Sequence, residues 1–118
     1  MEYLVTFYQD LPDYKRPGHT SKTVYAGNDV IELTKCVYRF MHDHLWHHEY
    51  DESMVALFYD RHLQPPSIET LFEDVHKFER LLVNEYDACW GSQDMYYEES
   101  GTIVIQKWDG KNLVCINI

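Results

Sequence analysis

Apolar residues recur at helical spacing in the first half of the chain. Val30, Leu33, Val37, Phe40, Met41, His44 and His48 share one face of a helix. Asn28 or Asp29 can accept a backbone N–H at its start, and Arg39 and the histidines suit its negative C-terminal end. A second stripe predicts a helix over residues 68 to about 86, with Ser67 as N-cap. Ile68, Leu71, Phe72, Val75, Phe78 and Leu82 form its buried side, with Glu69, Glu73, Asp74, Lys77 and Arg80 outside.

Elsewhere the runs are short. Residues 3–8 are aromatic and β-branched, which predicts a strand, and residues 23–26 predict a second. Pro12, Pro17 and Gly18 make residues 9–21 a long loop between them. Residues 54–59 form a nearly continuous apolar run, whose length favours a buried central strand. Residues 87–101 read as irregular, with a short strand at Met95, Tyr96 and Tyr97.

The C-terminal stretch predicts a hairpin. Residues 102–108 pair with 111–118 across Asp109-Gly110, a dipeptide suited to a type I′ turn. Ile103, Ile105, Val114, Ile116 and Ile118 then share a buried face. Val104, Trp108, Leu113 and Cys115 lie on the other, half-exposed face among Gln106, Lys111 and Asn117. The expected fold is one α+β domain over residues 1–118: a mainly antiparallel sheet with two amphipathic helices on one face and a C-terminal β-hairpin.

Charge narrows the choice of partner. The 118 residues carry a formal net charge of -10, which repels nucleic acid and anionic membranes and favours a basic protein surface. Ten tyrosines, five phenylalanines and three tryptophans supply both core and interface anchors. Cys36, Cys89 and Cys115 form no C-x-x-C pair, so neither a zinc ribbon nor a disulfide framework is indicated, and a reduced, cytoplasmic setting is expected. The N-terminus lacks a signal peptide's basic start and long apolar run, and no run has the length of a membrane span.

Few residues carry recognisable chemistry. His44 and His48 are four apart, as are Asp43 and His47, so either pair can face a metal from one side of a helix. The Glu of an H-E-x-x-H motif is missing. Asp51 or His62 would have to add a ligand, and packing at the edge of the helix is the simpler role for these rings. His42-Asp43 resembles the HD dipeptide of metal phosphohydrolases, but those enzymes are larger and all-helical. Cys36 and Cys115 read as small apolar fillers, and Cys89 has nothing local to lower its pKa. The five scattered glycines form no phosphate loop, and Lys15, Arg16 and His19 read as a solvated basic loop. No cofactor is expected.

The acidic residues are the stronger signal. Between Leu81 and Gln106 there is no Lys or Arg, whereas Asp94, Glu98 and Glu99 stand among Tyr96 and Tyr97. Glu49, Asp51 and Glu52 form a second acidic patch. Carboxylates beside exposed aromatics suit contact with Arg- and Lys-lined grooves. The expectation is therefore a non-enzymatic binding module, an inhibitor or regulator that occupies the basic surface of a nucleic-acid-binding partner. In size, charge and mixed α+β character it is similar in general style to small phage-encoded inhibitors of restriction or CRISPR systems, a likeness of composition carried by no motif. The alternatives are a metal-binding or hydrolytic module using the histidines from His42 to His48, and a homo-oligomer joined through the half-apolar hairpin face.

Overall fold

The computed structural model describes residues 2–13, 16–47, 51–89 and 101–117, with the side chains of 10–13, 16–20 and 83–89 outside the description. Seven elements follow in order: β1 (Tyr3–Asp13), β2 (Arg16–Gly27), α1 (Val30–His47), α2 (Glu52–Leu63), α3 (Ile68–Cys89), β3 (Gly101–Trp108) and β4 (Leu113–Cys115). The sheet is antiparallel in the order β2-β1-β3-β4, so the fold is α+β.

Alternation along β1 and β3 sends Tyr3, Val5, Phe7, Ile103 and Ile105 into the core. Leu33, Val37 and Met41 of α1 and Leu71, Val75, Phe78 and Leu82 of α3 meet them there. Burial on α1 is wider than the predicted stripe, because Thr34, Tyr38 and Leu45 are also buried. A helix covered by the sheet on one side and by α2 on another buries more than one stripe. The close approach of β1 to β3 requires glycine at one point: a Cβ on Gly101 would meet the Phe7 ring at 2.5 Å.

Three predicted features are corrected. The described residues hold three helices, not two, because the run expected as a central strand lies within α2. Asp51 starts this helix as its N-cap: its carboxylate accepts the Ser53 N–H at 2.8 Å and the Ser53 hydroxyl at 2.6 Å. Val55 and Phe58 are buried while Ala56 and Tyr59 are exposed, a helical spacing that the six-residue run conceals.

The expected loop over residues 9–21 is largely strand. β1 continues to Asp13 and β2 starts at Arg16, with Pro12 opposite Pro17. β3 covers β1 only as far as Gln9, so among the described residues β1 and β2 continue beyond it as a two-stranded ribbon. A proline whose absent N–H points out of such a ribbon removes no ladder bond.

The third correction is the hairpin register. Trp108 pairs with Leu113, so the connection is the four residues Asp109 to Asn112 rather than a two-residue turn. Asp109 accepts the N–H groups of Lys111 and Asn112, both at 2.8 Å, and Gly110 adopts φ 102°. Sliding the pairing by two residues keeps the faces but moves Val114 from opposite Ile105 to opposite Lys107, where it is 46% exposed instead of buried. Asn117, expected on the half-exposed face, is buried. Its side-chain oxygen accepts the Ile105 N–H at 2.9 Å and its amide donates to the Ile103 carbonyl at 2.8 Å. A side-chain amide thus continues the ladder past β4, after the Ile116 N–H has donated to the Ile105 carbonyl.

Candidate functional site

Two constellations of aromatic and acidic side chains stand out, and they differ in access to water. The first joins the three helices. Asp74 of α3, expected on the exposed side, is 1% exposed. The Tyr38 hydroxyl of α1 donates to Asp74 Oδ2 at 2.8 Å, and Arg61 of α2 brings Nε to the same oxygen at 3.1 Å. Lys77 places Nζ 3.7 Å from Oδ1. Burial, then the hydrogen bond to Asp74, pushes the Tyr38 phenol far above its ordinary value, so it stays protonated and donates. A buried carboxylate is tolerated because cations and a hydroxyl surround it. Asp74 itself is withdrawn from solvent, and its contacts tie the three helices together. Beside it, Arg39 Nε donates to His62 Nε2 at 3.1 Å, a further tie between α1 and α2.

The second constellation is an open groove of about 800 Å³ between α1 and α2. Leu45 and Val55 form its buried floor. Trp46, 67% exposed, and Tyr59, 48% exposed, form its walls. His42 stands between them, with its ring centroid 6.4 Å from Trp46 at an interplanar angle of 12° and 5.5 Å from Tyr59. His42 Nδ1 lies 3.0 Å from Asp43 Oδ1. Glu52 lines the groove at the start of α2, directly after the N-cap Asp51. The Ser53 hydroxyl, then the Ser53 N–H, hold the exposed Asp51 carboxyl below the usual carboxylate range.

The structure thus brings one of the predicted partner-binding residues, Glu52, into an aromatic groove, while Asp51 beside it caps α2. Glu49, Asp94, Tyr96, Tyr97, Glu98 and Glu99 lie outside the described residues. Trp46 and Tyr59 are the lining residues that the sequence did not single out, and His42, read there as a metal candidate, stands between them. Trp46 falls off the apolar stripe of α1, a signal present in the sequence. Tyr59 could be matched to His42 only once residues 52–63 were known to be helical.

The histidines predicted as a metal pair take different surroundings. His44 packs edge-on against Phe7 and Phe78, with ring centroids 5.5 and 5.6 Å away, and also beside Phe40 at 5.9 Å. Asp43 and His47 are exposed, while His48 lies outside the described residues. Asp43, His44 and His47 border a second cavity of about 430 Å³ together with Lys22 and Arg39, whose charges oppose a metal cation. Among the described residues no three His, Cys, Asp or Glu side chains are placed to hold one ion. Cys36 borders the same cavity, and burial pushes its thiol up against the lowering effect of Arg39.

Among the described residues no helix is long and apolar enough to cross a membrane. No family model, curated protein or solved structure matches the chain. Function has to be read from geometry and charge.

Proposed function

We propose that this protein is a non-enzymatic binding module, an inhibitor or regulator that covers a basic, nucleic-acid-binding surface of a partner protein. The observation that carries this reading is the position of Glu52, next in sequence to Asp51, in one groove with the exposed rings of Trp46 and Tyr59. Aromatic anchors supply desolvated area, and carboxylates supply pairing and steering toward positive charge. The net charge of -10 acts in the same direction over longer range.

The test is capture of partners from host lysate by the tagged chain, washed at low and at high salt. A nucleic-acid-binding protein released by salt, and displaced by its own nucleic acid, is the expected result. Glu52→Lys should weaken that capture without unfolding the chain, and Glu98→Lys with Glu99→Lys tests the second acidic segment. Capture that is indifferent to salt, nucleic acid and these reversals would overturn the reading.

A further inference from the structure

The groove between α1 and α2 is more specific than an acidic surface needs to be. A surface that only repels nucleic acid has no use for a tryptophan held 67% exposed. Here Trp46, His42 and Tyr59 form a row of rings over an apolar floor, with Glu52 at the edge. Among the described residues no lysine or arginine lines the groove, in contrast to the second cavity, which has Lys22 and Arg39.

Three ligand classes can be compared on that lining. An anionic group meets Glu52 and no cation. A lysine ammonium is compact and strongly hydrated, and gains little from a flat ring. A guanidinium is planar and weakly hydrated, stacks on an aromatic face, and pairs with a carboxylate through two parallel N–H groups. It uses both the rings and the carboxylate.

We infer that this groove is a receptor for an arginine side chain on a basic segment of the partner, with the guanidinium stacked on Trp46 and paired with Glu52. The volume of about 800 Å³ exceeds what one side chain fills, so the residues flanking the arginine lie along the groove as well. This inference rests on the proposed function, because it supplies the contact through which a basic partner is recognised.

The experiment is calorimetric titration of the intact chain with three capped hexapeptides: hexa-arginine, hexalysine and hexacitrulline. The last keeps the shape of arginine without its charge. Hexa-arginine should bind at least about tenfold more tightly than hexalysine, and hexacitrulline should not bind measurably. Trp46→Ala and, separately, Tyr59→Ala should reduce hexa-arginine to the hexalysine level, while Glu52→Gln weakens both cationic peptides. Both rings are exposed, so these variants should keep the wild-type circular dichroism and melting profile.

Equal affinity for hexa-arginine and hexalysine in the wild-type chain overturns the inference. So does an arginine preference that survives Trp46→Ala and Tyr59→Ala. Failure of the proposed function looks different. If no basic partner is captured while the arginine preference holds, the receptor stands and the proposed function falls. If Glu52→Lys abolishes capture of the partner and Trp46→Ala does not, the acidic surface stands and the receptor falls.

Discussion

The three-helix junction and the α1–α2 groove are built from similar materials and put to opposite uses. Each combines an aromatic side chain with a carboxylate. At the junction the carboxylate of Asp74 is surrounded by Tyr38, Arg61 and Lys77, and water is excluded. In the groove Trp46 and Tyr59 keep much of their surface in water, and Glu52 is exposed. A buried, ion-paired cluster ties the helices together; an exposed one keeps binding capacity for something else. Exposure and local pairing, rather than residue type, separate scaffold from candidate site.

The contrast breaks most readily at Asp74. Asp74→Asn takes the buried anion away from Arg61, 28% exposed, and Lys77, 48% exposed, so unfolding free energy should fall by about 2 kcal/mol in urea titration. A loss near zero would mean that the junction is not a cohesive element. Tyr38→Phe removes one hydrogen bond while Arg61 still faces Asp74, and should cost about 1 kcal/mol by the same measurement.

A smaller effect is expected at Glu79, which accepts the Ile103 N–H at 3.3 Å and ties α3 to β3. Burial raises its carboxyl above the ordinary value, against the lowering effect of that hydrogen bond. With the folded value above the unfolded one, the ionised side chain opposes folding. That penalty is absent below roughly pH 4 and develops as pH rises through the folded pKa. Glu79→Gln should therefore raise the melting temperature at neutral pH and leave it unchanged in acid; the reverse order would refute the assignment.

Trp46→Ala should have the smallest effect on stability, within about 0.5 kcal/mol, because the ring is largely exposed. If it instead destabilises as much as Asp74→Asn, the groove is part of the scaffold and the comparison collapses.

How much of this was readable beforehand depended on the length of each pattern. α1 and α3 announce themselves through long stripes, β1 through its aromatic and β-branched run, and Ile103 and Ile105 of β3 through alternation. α2 does not, because a six-residue apolar run fits a strand as well as a helix, and its deciding feature is the Asp51 cap. Asp74 looks like a surface acid on a helical wheel. Only the arrival of Tyr38 and Arg61 from other helices makes its burial tolerable, and those are contacts of sequence-distant residues. Of the site, the acid Glu52 was legible from charge, whereas the aromatic row depends on how α2 lies against α1.

The strand order also has a consequence for how the chain acquires its structure during synthesis. β1 is an inner strand, yet its partner β3 is made after all three helices, with Tyr3 opposite Lys107. Closing a loop on the order of a hundred residues costs roughly 4 kcal/mol in chain entropy beyond a constant. The β1–β2 hairpin and the helices can form early from local contacts, while one edge of β1 still waits for its neighbour. During that interval the same edge is open to strands of other nascent chains, so slow translation past α3 should favour aggregation over native closure.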